Sequence, residues 1–179
     1  MTHKFCRVLV DLISSNQLSH SAICFYTSSR EADLTNAMYL LGAFLVLHLD
    51  ATPEEASAPF EGLKTRVLPY RDATWVPSTW DLHLVDCWRG LRRAVLTGLY
   101  DTVTFNEDEY FYYDQPCHGD MHEVVKAKFF AFKGPTDVRK PLGGGAWSKT
   151  PLDYIDAFRS KGISIVIRLN NPECKSHVS

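Results

Sequence analysis

Hydrophobic residues Phe5, Val8, Leu9, Leu12 and Ile13 recur at helical spacing and predict an opening helix. The next apolar run, Ser21-Ala-Ile-Cys-Phe-Tyr26, is short and predicts a strand, followed by a polar loop from Thr27 to Asp33. From about Leu34 to His48 the pattern returns to helix, with a stripe on Leu34, Met38, Leu41, Leu45 and Leu49. This strand–loop–helix order is typical of α/β proteins. Thr52-Pro53-Glu54-Glu55 carries a start signal: a capping threonine, a proline suited to the first helical position and a glutamate that completes a capping box. That short helix should stop near Pro59. Leu68 to Pro77 reads as a proline-bounded loop. A helix is then predicted from about Thr79 to Leu96, with a buried stripe on Trp80, Leu84, Cys87, Trp88, Leu91 and Val95, ended by Thr97-Gly98.

Asn106-Glu107-Asp108-Glu109 opens another short helix, with a good cap and acids at the positive end of the helix dipole. Lys128-Phe-Phe-Ala-Phe-Lys133 reads as a strand ended by Gly134-Pro135, and Leu142 to Ala146 is a glycine-rich loop. Thr150-Pro151 starts a helix that Gly162 stops, and Ile163-Ser-Ile-Val-Ile-Arg-Leu169 reads as a strand. The polar tail Asn170 to Ser179 has no packing signal. A second unit of strand, helix and strand therefore begins near Asp120, and two strands with one helix bury little by themselves.

Composition narrows the function classes. The chain has 179 residues, 45% of them apolar, and a formal charge of −2. That suits one medium domain, or one domain and part of another. It lacks the basic footprint of a nucleic-acid binder. The longest apolar run, Ala37 to Leu49, is broken by Gly42 and His48 and is too short to cross a bilayer. The opening segment has no signal-peptide pattern. The five cysteines, Cys6, Cys24, Cys87, Cys117 and Cys174, are scattered and form no C-x-x-C pair. They read as reduced thiols of an intracellular protein, with neither a disulfide framework nor a zinc site.

Cys24-Phe-Tyr-Thr-Ser-Ser-Arg30 has the spacing of cysteine-dependent phosphatases, a cysteine, five residues and an arginine. In such a loop, backbone N–H groups and a helix N-terminus cradle phosphate, the same field yields a thiolate, and the arginine grips two oxygens. The chemistry around this pair argues against that role. The loop lacks glycine, Ile23 stands where a histidine usually precedes the cysteine, and Glu31 would repel phosphate. Cys24 is expected to be a buried, inert core thiol.

The acidic cluster Glu107, Asp108, Glu109 and Asp114 has two readings: a solvated helix start, or a negative groove that selects basic residues. Tyr110, Phe111, Tyr112 and Tyr113 supply either stacking area or domain packing. His48, His83, His118 and His122 show no ligand spacing and read as surface or packing residues. Gly143-Gly144-Gly145 lacks the following Lys-Ser/Thr of a phosphate loop. Neither a metal nor a cofactor is expected.

Four groups of residues, in order and spacing, resemble the dual-specificity phosphatase family that reverses proline-directed phosphorylation at mitotic exit, the cell-division-cycle-fourteen type. They are Asn36 to Ala43 with Thr52 to Ala56; Leu68 to Ala73 with Leu84 to Leu91; Phe105 to Tyr110 with Gly119-Asp120; and Lys128 to Pro135 with Val166 to Asn170. The resemblance implies an α/β fold with a mixed sheet flanked by helices. It also implies three parts: a non-catalytic phosphatase-like domain over 1–105, incomplete at its start; a linker helix over 106–118; and the opening of a catalytic domain over 119–179. In this register Tyr26, not Cys24, takes the old nucleophile position, and the chain stops before the catalytic loop, as a fragment or a shortened gene product. No residue here is then catalytic. Exposed sheet edges are expected on both halves.

Asp108, Glu109 and Asp114 match acidic positions of the family's linker, where they would line a groove for a basic residue beyond a phosphoserine–proline. Phe111 and Gln115 stand where the family has charged residues. The implied role is recognition and scaffolding for a phosphatase acting on phosphoserine-proline, phosphothreonine and phosphotyrosine sites in cell-cycle control. The implied partners are phosphoproteins and a catalytic domain, with no nucleic acid and no membrane. The implied setting is nucleus or cytoplasm, with spindle or centrosome association. A free-standing pseudophosphatase that binds phosphopeptides or partners is the alternative.

Overall fold

Strong local signals place most helices where the spacing predicts them. The structure, a computed structural model, describes residues 1–16, 20–72 and 76–169. The polar tail from Asn170 and the Ala73–Trp75 centre of the proline-bounded loop lie outside the described residues. The chain divides into two units, Met1–Phe105 and Asn106–Ser179. Helices and small antiparallel sheets together make the fold class α/β.

In the first unit, α1 spans Thr2–Ser14, α2 Glu31–His48, α3 Pro53–Ser57 and α4 Leu84–Leu96. A 3-10 stretch, Ala58–Arg66, continues α3. Strands β1, Tyr70–Arg71, and β2, Asp81–Leu82, pair antiparallel. The capping box forms as the residues predict: Thr52 Oγ1 accepts from the Glu55 amide, and the Glu55 carboxylate accepts from the Thr52 amide. α2 is apolar all round and is surrounded accordingly. Its most buried residues are Thr35, Ala37, Met38, Gly42, Ala43, Phe44 and Val46; of the predicted stripe only Met38 is fully buried, with Leu34 and Leu45 half-buried against the core. Small residues win because they let α4 approach closely. A Cβ on Gly42 would lie 2.2 Å from the Trp88 ring. Met38, Ala43, Val46, Ala56, Leu84 and Trp88 form the core. Thr35 is satisfied inside it, donating to the Leu68 carbonyl at 3.1 Å and accepting from the Leu68 amide at 3.0 Å.

Three expectations for this unit change. α4 starts at Leu84, not Thr79, because Asp81–Leu82 is taken by β2, and Trp80 is exposed. α1 buries His3 and Cys6, whereas Val8, Leu12 and Ile13 are exposed. His3 is held by the Tyr100 hydroxyl, 2.8 Å from its Nδ1, and by the Phe105 ring at 4.8 Å. Ser21–Tyr26 has no strand pairing, and Ile23, Phe25 and Tyr26 are exposed. A strand needs a partner for its backbone groups, and none of the described residues supplies one here.

The second unit opens with α5, Glu107–Tyr113, and a 3-10 turn, Pro116–His118. Strands β3, Met121–Val125, and β4, Phe129–Phe132, pair antiparallel, as do β5, Pro141–Gly143, and β6, Ala146–Trp147. Gly143, Gly144 and Gly145 all have positive φ, so the triplet is a hairpin turn that only glycine fills without strain. A second capping box, Thr150 with Asp153, starts the turn Pro151–Tyr154 that leads into α6, Ile155–Ser160. Tyr154 is buried against Phe132 and Phe158, and its hydroxyl proton is shared between the Gly119 and Lys133 carbonyls, each 3.0 Å away. The predicted strand Ile163–Leu169 is unpaired among the described residues, with Ile165, Ile167 and Leu169 exposed. No helix among the described residues is long and apolar enough to cross a membrane.

Candidate functional site

The cysteine–arginine pair is tested first by its surroundings. Cys24 is exposed, which corrects the expectation of a buried core thiol. Arg30 is largely exposed, but it is already engaged. Its guanidinium is paired with Asp33 at 2.8 Å, and Ser28 Oγ donates to the same carboxylate. These bonds, Ser28 first and Arg30 next, hold the Asp33 carboxyl below its ordinary range. An ionised carboxylate therefore takes the cation that a phosphate would need. The same spacing recurs at Cys87–Arg93, which the sequence reading missed. That pair lies inside α4, where backbone N–H groups are spent on the helix. At about 100° per residue, six positions put the two side chains roughly 120° apart. Burial, then Asp86, pushes the Cys87 thiol up, and burial pushes Cys6 up to about 11, so neither is a ready thiolate. Incubation of this chain with a small aromatic phosphate should give no turnover that depends on Cys24. Turnover lost in Cys24→Ser would overturn this.

The acidic cluster is built on α5. Asn106 caps the helix, its side chain accepting from the Glu109 amide at 3.0 Å. This frees the Asp108 and Glu109 side chains, both exposed, while Glu107 is half-buried. Asp114 stands at the other end of the helix, its amide donating to the Tyr110 carbonyl at 3.0 Å. Helical geometry turns Asp114 roughly 120–140° around the axis from Asp108 and Glu109. Asp108 and Glu109 are themselves about 100° apart, so the three predicted groove residues do not share one helix face. Asp108 and Glu109 are adjacent at the N-terminal turn, and Asp114 engages His122 Nε2 at 3.3 Å.

Aromatic residues clasp the same helix. Tyr110 stacks on His122 with centroids 4.6 Å apart, and Tyr112 stacks on His118 at 3.7 Å. The Lys161 ammonium sits 5.0 Å from the Tyr113 ring and 5.3 Å from Phe130. Tyr110, Phe111 and Tyr112 nonetheless keep exposed area beside the acidic pair. His122, read from spacing as a packing residue, meets both Asp114 and Asp120, the latter at 3.9 Å. One ligand atom from each of the three lies within 4.8 Å of the others. No local signal could have marked this trio, because it forms across the turn that Gly119 makes at φ 103°.

In the first unit, a cavity of about 560 Å³ opens between Met38, Phe60, Val67, Leu68, Leu84 and Trp88, with Glu54, Glu61 and His83 also in its lining.

Comparison with known proteins places these features in a family. Residues 1–94 match the family model described as dual specificity protein phosphatase, N-terminal half. The chain is 34% identical to mouse (Mus musculus) dual specificity protein phosphatase CDC14A over 171 residues, covering 95% of this chain and 28% of that protein. It is 35% identical to the human (Homo sapiens) CDC14A over the same length, covering 95% and 29%. The tyrosine-protein phosphatase CDC14 of Saccharomyces cerevisiae is 25% identical over 174 residues, covering 94% and 31%. The chain thus spans less than a third of the length of these curated relatives. It belongs to the CDC14-type dual specificity protein phosphatases, and its residues 1–94 match the model of their N-terminal half.

Proposed function

We propose that this chain recognises phosphoprotein substrates and acts as the scaffold half of a CDC14-type phosphatase, without performing the chemistry itself. The substrates are phosphoserine-proline, phosphothreonine and phosphotyrosine sites of cell-cycle proteins inside the cell, in nucleus or cytoplasm. The observation that carries the reading is the exposed pair Asp108 and Glu109 at the capped start of α5, flanked by exposed Tyr110, Phe111 and Tyr112. Two adjacent carboxylates favour a basic side chain, and the rings offer its stem apolar contact. Asp114 contributes negative charge from the far end of the same helix. In this reading 1–105 is the non-catalytic domain, 106–118 the linker and 119–179 the opening of the catalytic domain. The division of the chain between Phe105 and Asn106 supports it, as does a family match that ends at residue 94.

The test compares a phosphoserine–proline peptide carrying a downstream lysine with one carrying a neutral residue there. The wild-type chain should prefer the basic peptide. Reversing both charges, Asp108→Lys with Glu109→Lys, should lower that preference roughly three- to tenfold, the range of a few exposed charge pairs. The preference should also shrink as salt rises. Indifference to the double reversal would remove the acidic surface from the reading.

A further inference from the structure

We propose that Asp114, Asp120 and His122 form a binding site for a divalent transition-metal ion of the zinc class. The site shares Asp114 with the acidic surface above and does not depend on that reading. His122 Nε2 lies 3.3 Å from Asp114 Oδ1 and 3.9 Å from Asp120 Oδ1, and all three ligand atoms fall within 4.8 Å of one another. A four-coordinate zinc with bonds of roughly 2.0–2.2 Å sets its ligand atoms about 3.3–3.6 Å apart. One separation already has that length. The others are longer, and binding an ion would require the carboxylate side chains to turn inward to close them.

The donor set chooses among ions. One imidazole nitrogen and two carboxylate oxygens suit zinc and its transition-metal neighbours. Calcium requires six to eight oxygens, which three side chains of this kind do not provide. Three protein ligands leave the fourth position to water, the pattern of an open zinc site. Charge points the same way, because two carboxylates converge on one imidazole, and a dication compensates the carboxylates better than a single proton does. The imidazole is also pre-positioned, with Tyr110 stacked on its face at 4.6 Å. The side chains of His122, Asp120 and Asp114 are 24%, 38% and 46% exposed, so an ion can enter without unfolding the unit. The ligands come from the end of α5, the turn after it and β3. A bound ion would tie those three segments together and take Asp114 out of contact with a basic ligand.

The experiment is a calorimetric titration of the whole untagged chain with zinc chloride, repeated with Asp120→Asn and His122→Gln. One zinc should bind per chain, and each variant should weaken it by about tenfold or more. Zinc should raise the thermal midpoint of the wild-type chain by a few degrees, and of neither variant. Cobalt loading reports the donors directly, with weak visible bands expected from nitrogen and oxygen ligands. Intense thiolate-to-metal absorption would move the site to the cysteines and overturn the proposal. So would absence of binding, or binding unchanged in both variants. In those cases His122 forms only an ion pair with its two aspartates.

Discussion

Replacing Trp88 by alanine should destabilise the first unit by about 3–5 kcal/mol, the range for removing a large aromatic side chain from a core. Trp88 is only 2% exposed and lies among Met38, Ala43, Val46, Ala56 and Leu84. Its ring faces Phe60 at 6.2 Å, and its Nε1 donates to the Tyr39 carbonyl at 3.1 Å. The variant loses the buried indole area and this hydrogen bond, and it leaves a void between α2 and α4. The neighbours cannot close that void easily, because Gly42 and Ala43 have no side chain long enough to fill it. Ion pairs around α4, such as Arg89 with Glu54 and Asp86, are exposed and offset little. Urea unfolding followed by far-ultraviolet circular dichroism measures the loss. A cost below about 1 kcal/mol would mean that the α2–α4 contact is not the centre of this core.

The second prediction concerns sign. Gly42→Ala places alanine in the interior of a helix, where propensity alone would add about 0.8–1 kcal/mol of stability. The structure reverses the outcome. A Cβ at position 42 would sit 2.2, 2.3 and 2.7 Å from Trp88 Cζ2, Cε2 and Nε1. A rigid buried ring cannot move aside without disturbing the whole α2–α4 packing. Such overpacking costs about 1–3 kcal/mol, so the variant should be less stable than wild type. The same clash predicts coupling. In a background of Trp88→Ala, the added methyl enters vacated space, and Gly42→Ala should become neutral or stabilising. The coupling should be about 1–3 kcal/mol, measured by the same unfolding curves across the four proteins of the cycle. Equal effects of Gly42→Ala with and without the tryptophan would refute the close contact.

These two residues show where sequence reasoning stops. Trp88 is recognisable as a core residue from its place in the α4 stripe. Gly42 reads only as a break in an apolar run, since its role depends on a ring 46 positions away. The α2 stripe is only partly right for a related reason: Met38 is buried and Leu34 and Leu45 pack against the core, whereas Leu49 is exposed. On a helix that is apolar all round, periodicity does not choose a face, and the packing of α3 and α4 does. Ser21–Tyr26 and Ile163–Leu169 have strand-like composition, yet composition supplies no hydrogen-bond partner.

The candidate site divides along the same line. Asp108 and Glu109 follow a recognisable cap, so both their helix and their exposure could be expected. Asp114 belongs to the same cluster by sequence, but it turns toward His122 and Asp120. Separations of six and eight residues match no ligand motif, and a left-handed turn at Gly119 brings the three together. The cysteine–arginine spacing shows the reverse. It looks like chemistry along the chain, and the Asp33 carboxylate cancels it in space.

By itself the sequence determined the caps at Thr52, Asn106 and Thr150, the helices they open, the α/β class and the CDC14-type family. Those depend on contacts within about one helical turn, or on residue order that spans the whole chain. Tertiary structure alone decided which faces are buried, which strand-like segments pair, and which carboxylates converge on His122. The first two are set by neighbours distant in sequence, because burial and pairing depend on what packs opposite a residue, and the third by the backbone path of the turn at Gly119, which spacing alone does not reveal.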